Sequence, residues 1–481
     1  MAGAQPVVRP SGLAAAQTGR PWRWLLPLGV VVLFLSLAAY AADVHAYSIQ
    51  RALPMLDLEV YRGGGLLTLH HRMDLYAWQL NPSMKFTYTP FAAVVFAVPA
   101  LLPLSALRWL IWVTSVSALA GTIWLTFGGL GYPRDRARLG ATLLLTAAVL
   151  WTQPVDRTLQ LGQVNLLLMA LIIWDLCQPE QRRWMGVGVG IAAGIKLVPL
   201  IFIPYLAITG RLRQAAVATG SFAATIAIGF AVLPHDSSQW WFGRLFLDAG
   251  RTGFVGDLEN QSLRGMSTRL AGSVTAGLPI WAIAAAAVTV LGLASAAALY
   301  RAGRPVEGLL TCALTGLLVS PVSWDHHWVW IGPGLAVLTH HAVRSRGARR
   351  VAAWVSAAAV LAVFGAWPSF WVPHSGLLPE GLVWYAPASL FTIGDHPWFR
   401  EYHWHGLQLL AGNLYVLAGL ASLAVIVTLL VWNARSVRKL DRRPVGRLSL
   451  SGPRTGLATY RRCGRCRAAT AVTDTCSGAG R

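Results

Sequence analysis

Six runs of this chain are apolar enough and long enough to cross a bilayer, and that removes most folds from consideration. Trp24 to Ala42, Leu107 to Phe127, Gln214 to Leu233, Leu278 to Tyr300, Val351 to Phe370 and Leu409 to Trp432 each approach the ~20 residues that a helix needs to cover roughly 30 Å of hydrocarbon. In lipid the backbone N–H and C=O groups find no water, so such runs become helices. With 55% hydrophobic and 12% charged residues, the 481-residue chain lacks the polar shell of a water-soluble domain. Shorter apolar runs lie between the long ones: Leu139 to Thr152, Val164 to Cys177, Gly308 to Ser320, Trp328 to Thr339, and a Gly- and Pro-broken pair around Gly186 to Ile208. The first run is too long for the core of a signal peptide and no clear cleavage site follows it, so it reads as a retained span.

Charge decides orientation. Arg134, Arg136 and Arg138 fall on the same side as the other Arg-rich loops only if Pro90 to Leu102 is a surface or re-entrant helix and not a full span. That choice predicts an all-α polytopic integral membrane protein with about 12 transmembrane helices and both termini in the cytosol. Residues 1–23 form a cytosolic lead, 24–432 the membrane domain, and 433–481 a basic cytosolic tail, disordered beyond about Ser449. Arg435, Arg438, Lys439, Arg442 and Arg443 place that tail on the anionic inner leaflet. The net charge of +21 is then topology and headgroup attraction, not a nucleic-acid footprint. The five cysteines add little, because Cys463 and Cys466 lack the second ligand pair that a zinc site needs.

Three long outer segments, at about 43–106, 234–277 and 371–408, carry most of the non-membrane sequence. Transporters keep outer loops short and place ionisable groups near the midplane; here the polar groups collect at one interface. Asp57 follows soon after the first span in a chain with only 19 acids, where a carboxylate can act as a base. Glu59 reads as a solvated or structural acid, and Asp257 and Glu259 as solvated ones. The run Lys85 to Thr89 is an extended turn feeding a helix at Pro90, a natural first helical position. Lys196, between short broken helices, is costly unless it meets an anion, and the freed helix ends offer backbone donors to the same anion. A lipid phosphate meets that description. Most of the 22 tryptophans read as interfacial belts, with Trp240, Trp241, Trp384, Trp398 and Trp404 as candidate stacking faces for sugar rings.

Six short motifs occur in order: Asp-Leu-x-Val-Tyr from Asp57 to Tyr61, Phe-Thr-Tyr-x-Pro-Phe from Phe86 to Phe91, Gly-Gln-Val-Asn from Gly162 to Asn165, Gly-Ile-Lys-x-x-Pro from Gly194 to Pro199, Asn-Gln-Ser from Asn260 to Ser262, and Ser-Pro-x-Ser-Trp-Asp-His-His from Ser320 to His327. Together, over about residues 25–432, they resemble glycosyltransferase family 87, the polyprenyl-phosphate-mannose-dependent mannosyltransferases of mycobacteria and related actinobacteria. The likeness is to the α-1,2-mannosyltransferases of lipomannan and lipoarabinomannan, with phosphatidylinositol-mannoside-elongating enzymes as near relatives.

The resemblance implies a GT-C fold with outer-face juxtamembrane helices and a catalytic acid in the first outer loop. It implies a polyprenyl-phosphate-mannose donor, a lipid-anchored mannan acceptor, and an active site on the extracytoplasmic face of the plasma membrane. Asp57 would be the general base of an inverting transfer, giving an α-mannoside. His326 or His327 would contact the donor phosphate or the acid, beside Lys196. Tyr61, Tyr88, Gln163, Asn165, Gln261 and Asp325 would bind hydroxyls or phosphate. No cofactor is called for, and no tight ligand spacing calls for a metal. The alternatives are a polyprenyl-phosphate-arabinose-dependent arabinofuranosyltransferase, which uses the same base logic, a transporter, and a non-enzymatic scaffold.

Overall fold

A computed structural model describes residues 21–50, 55–70, 74–82, 84–366, 381–383 and 400–441. The chain divides into Met1–Asn433 and Ala434–Arg481; most of the expected outer loop at 371–408 and the tail from 442 lie outside the described residues. Trp384 and Trp398 lie there too. The first unit is a helical body with one two-stranded hairpin. In chain order its early elements are α1 (Leu25–Gln50), α2 (Leu56–His70), β1 (Gln79–Asn81), β2 (Met84–Lys85), α3 (Pro90–Ala100), α4 (Leu104–Gly129), α5 (Arg136–Leu150), α6 (Gln153–Leu161) and α7 (Asn165–Leu176). There follow α8 (Val187–Ile195), α9 (Phe202–Ile208), α10 (Leu212–Val232), α11 (Pro234–Trp241), α12 (Leu263–Ala271), α13 (Val274–Arg301) and α14 (Pro305–Val319). The last are α15 (Ile331–Arg344), α16 (Gly347–Phe364), α17 (Leu407–Ala411) and α18 (Leu414–Asp441).

Among the described residues six helices are long and apolar enough to cross a membrane: α1, α4, α10, α13, α16 and α18. They match the six long apolar runs. Their outward faces carry Phe34, Trp109, Ile283, Val290 and Trp432, each more than two-thirds exposed; stripes like these need lipid against them. The shorter apolar runs also form helices, but α7 has 12 residues and α5 and α14 have 15 each. At 1.5 Å per residue none of these reaches across about 30 Å. Helices α6 and α7 would make a seventh crossing only as a pair bent by 115°. The short helices instead pack in the interior, around the core that runs from Leu58 and Phe86 through Leu166 and Val189 to Leu309 and Val329.

Local chemistry explains the breaks. Thr89 takes extended backbone and its hydroxyl accepts the Ala92 N–H at 3.2 Å, with Pro90 at the first helical position of α3, a geometry in which the missing proline N–H costs nothing. Ser262 and Ser273 cap α12 and α13 in the same way. Buried Asp175 accepts the backbone N–H groups of Gly186 and Val189, satisfying orphan donors at the start of α8. Helix α8 ends at Lys196, which is extended, and a short 3-10 turn from Val198 to Ile201 leads into α9.

Between α6 and α7, Gly162 is left-handed at φ +68°, and a Cβ there would lie 2.7 Å from the Cβ of Leu58. That glycine therefore sets both the turn and the approach of α2. We expect Gly162→Ala to destabilise the protein by more than the ~1–2 kcal/mol of left-handed strain alone. Gly131→Ala serves as reference, since its φ is +88° with no atom within 4 Å of the added carbon. Thermal unfolding in detergent compares the two variants, and equal losses would refute the close-approach role.

Candidate active site

The turn at Gly162 opens onto a cavity of about 980 Å³, at the upper end for ligand pockets. Asp57, Tyr88, Gln163, Lys196, His326 and His327 line it, so six of the ten residues anticipated from sequence border one cavity. They come from α2, the strand-to-helix turn before α3, the α6–α7 bend, the α8 break, and the loop after α14. Tyr61, Asn165 and Asp325 stand one hydrogen bond behind them.

Asp57 lies in the first turn of α2 and accepts a 2.7 Å hydrogen bond from Gln163 Nε2. Gln163 is itself fixed, because its Oε1 accepts from Tyr61 at 2.7 Å and from Tyr88 at 3.1 Å. The two phenol oxygens are 2.8 Å apart. With its oxygen taken by phenols, the amide can offer only its NH2 end to Asp57. One carboxylate oxygen is thus oriented while the residue borders the cavity. Glu59, two residues on, faces elsewhere and pairs with Arg108 at 2.8 Å.

Lys196 Nζ lies 2.9 Å from Asn165 Oδ1 and 2.8 Å from His327 Nε2. An ammonium has no acceptor capacity, so His327 must accept through Nε2 and carry its proton on Nδ1. Asn165 is held by donating to the His326 carbonyl at 2.9 Å. Burial lowers the Lys196 pKa to about 7, although the nearby charge of Asp57 pulls it up; Lys196 also stands 5.7 Å above the centre of the Tyr88 ring. Both partners of the ammonium are neutral, which leaves its charge available to an incoming anion.

Asp325 is fully buried and accepts from Gln153 Nε2 at 2.6 Å and from the His326 backbone N–H at 2.6 Å, with His326 Nδ1 at 3.1 Å. Burial opposes its ionisation, yet His326, Arg157 and Gln153 outweigh that and hold its pKa below the ordinary value. Burial lowers the pKa of His326 despite Asp325, so the ring is neutral at neutral pH, with Nδ1–H donating to Asp325. Its Nε2 meets no described hydrogen-bond partner. Tyr415 of α18 donates to Gln153 Oε1 at 2.7 Å and fixes that amide in turn.

Gln261, expected at the substrate, does not line the cavity. Its Nε2 donates to the carbonyls of Leu258 and Gly412 and its Oε1 accepts the Tyr415 N–H, so its amide joins the loop before α12 to α18. Trp240 does line the cavity but stacks on Tyr76, and Trp404 is buried in a cluster with Leu258, Trp328 and Tyr415.

Asp257 and Glu259, expected to be solvated, face the same cavity. The Asp325 N–H donates to the Glu259 carbonyl at 2.7 Å and a backbone bridge joins Asn260 to Trp324, drawing this loop inward. Arg157 reaches Glu259 Oε1 at 3.0 Å. Neither Arg157 nor Gln153 was anticipated. Their signal was the polar spacing Gln153, Asp156, Arg157, Gln160 between two apolar runs, one face of a short helix. Burial, with Asp325 and Asp257 close by, pushes Glu259 up to about 8 against the pull of Arg157; burial raises Asp257 to about 6.

Two outcomes follow from this geometry. Gln163→Glu puts a second carboxylate against Asp57, and like charges disfavour joint ionisation; we expect the activity profile to shift to higher pH and turnover to fall at least ~10-fold, which a pH–rate series reads. The raised pKa of Glu259 means that the folded state keeps a proton which the unfolded chain releases above about pH 4.5. Stability from this group is therefore full below that pH and is lost as pH rises towards 8. Melting temperature should fall over that window, and Glu259→Gln should flatten the slope; an unchanged slope would refute the assignment.

A family model for glycosyltransferase family 87 matches residues 86–321, which include Tyr88, Gln163, Asn165 and Lys196, while Asp57 precedes that stretch and His326 follows it. A Mycobacterium tuberculosis (strain CDC 1551) protein named polyprenol-phosphate-mannose-dependent alpha-(1-2)-phosphatidylinositol pentamannoside mannosyltransferase is 34% identical over 419 residues, covering 86% of this chain and 89% of the relative. A Mycolicibacterium smegmatis protein of the same name is 31% identical over 84% of this chain and 91% of its own length. A second M. tuberculosis protein (strain H37Rv), named as a phosphatidylinositol mannoside mannosyltransferase of the same donor and linkage, is 31% identical over 62% of this chain and 70% of its own. No solved structure matches the chain. With a likeness to these enzymes over most of its length, the chain belongs to glycosyltransferase family 87.

Proposed function

We propose that this glycosyltransferase moves mannose from polyprenyl-phosphate-mannose to a lipid-anchored mannose acceptor with inversion at the anomeric carbon, forming an α-1,2 linkage. The observation that carries the reading is the pairing, across one cavity, of an oriented carboxylate at Asp57 with an ammonium at Lys196 whose protein partners are neutral. The names of the relatives supply donor, linkage and acceptor class, and favour a phosphatidylinositol mannoside over the longer lipomannan and lipoarabinomannan. The GT-C architecture, with about 12 membrane-embedded segments of which the short, broken ones do not cross alone, and an active site on the extracytoplasmic face of the plasma membrane, belong to the same reading. The positive-inside distribution of Arg and Lys supports that orientation.

In this mechanism Asp57 takes the proton from an acceptor hydroxyl as its oxygen attacks the anomeric carbon. The bond from that carbon to the phosphate oxygen breaks, and polyprenyl phosphate leaves with the electron pair. Lys196 stabilises the charge that grows on the phosphate, a contribution that is largest when donors are held in place beforehand. The leaving group is good, so one base suffices, worth about 10²–10⁴-fold; holding two lipid-anchored substrates in line supplies much of the remainder.

The test is transfer of labelled mannose in membranes carrying wild type, Asp57→Asn or Lys196→Ala at matched abundance. Asp57→Asn should lose about 10²–10⁴-fold in turnover and keep donor binding, whereas Lys196→Ala should lose both. Full activity in Asp57→Asn would discard the base assignment, and transfer of arabinose in place of mannose would discard the donor.

A further inference from the structure

We propose that Glu259, together with Trp324 and Arg157, forms the subsite that grips the terminal sugar ring of the acceptor. This inference rests on the transferase reading and adds a place for the second substrate. The cavity has two chemically different regions. Around Lys196 the groups suit a phosphate. Beyond His326 the wall carries Asp257, Glu259, Arg157 and the half-buried Trp324 ring.

Four observations fit a neutral polyol ring there. Glu259 engages Arg157 through Oε1, and no described residue hydrogen-bonds its Oε2, so a carboxyl oxygen of a 24%-exposed side chain borders the cavity with hydrogen-bonding capacity to spare. The neighbouring His326 is 3% exposed and lines the cavity with an Nε2 that meets no described partner. Because Nδ1–H is committed to Asp325, this nitrogen is an acceptor, the natural partner of a sugar hydroxyl and the wrong one for a phosphate oxygen. Gly253 backs the Trp324 ring so closely that an added Cβ would lie 3.1 Å from it, and the Asn260–Trp324 bridge ties ring and carboxylate into one rigid patch. An aromatic face beside a carboxyl group and a guanidinium offers apolar contact for ring carbons and both signs of hydrogen bond for hydroxyls.

The charges separate donor from acceptor. His326 feels both Asp57 and Lys196, so it stands beside the reacting centre. Glu259 pairs with Arg157 of α6 and its carbonyl takes the Asp325 N–H, a set of contacts separate from the one around Lys196. A ring on Trp324 with hydroxyls at Glu259 and His326 would extend toward Asp57, as an attacking hydroxyl must.

The experiment is direct binding to the full chain in nanodiscs by ligand-observed NMR, with methyl α-mannoside and an α-linked mannobiose as acceptor probes and polyprenyl-phosphate-mannose as donor probe. Glu259→Gln should weaken mannoside binding about 10-fold or more and leave donor binding unchanged, which also shows that the variant is folded; Lys196→Ala should show the reverse pattern. Equal mannoside binding by wild type and Glu259→Gln, no mannoside binding by wild type, or a loss confined to the donor would each overturn the proposal. If donor binding is absent throughout while mannoside binding still depends on Glu259, the sugar subsite stands and the donor reading falls.

Discussion

An ammonium set at a break between two apolar helices has to be satisfied locally, and much of the site follows from how Lys196 meets that demand. Chain polarity is scarce here, so its partners come from afar: Asn165 from the start of α7 and His327 from the loop after α14. Asn165 is held in turn by a carbonyl of that same loop. Three segments distant in sequence are thereby drawn to one point, and the cavity is the space they leave between them.

The acids of the site differ by environment more than by chemistry. Asp325 is buried and saturated with donors, so it acts on His326 and not on a ligand. Asp57 has one oxygen steered by an amide that two phenols hold. Glu259, desolvated beside Arg157, holds its proton up to about pH 8, and Glu59 is taken by Arg108 on another face. Four carboxylates thus take four roles, as expected where burial and partners set ionisation.

Much of this was legible in the sequence where a polar residue interrupts an apolar context. Asp57, Lys196, Gln163, Asn165 and the two histidines stood out for that reason, and Pro90 marked its helix start through proline geometry. What was not legible depended on distance in the chain or on bends. The Arg157–Glu259 pair spans 102 residues and has no local pattern. Gln261 sits in a polar motif that reads like a ligand contact, yet its amide serves backbone groups. Apolarity reported which runs enter the hydrophobic interior, but not that several are too short or too bent to traverse a bilayer as single straight helices.

Tyr415 ties to Gln153 across 262 positions, and Asn413, just ahead of it, holds Arg269, so the final membrane helix braces the loops that present Asp325 and Glu259. Synthesis proceeds from the N-terminus, and contacts of such long range form late. Until α18 has been inserted, Gln153 and Arg269 lack these partners and the loops they steady lack their last support. A nascent chain can therefore hold most of its helices in the bilayer before it holds a finished site. Assembly of the site is coupled to the arrival of α18 in a way that the linear order of motifs would not suggest.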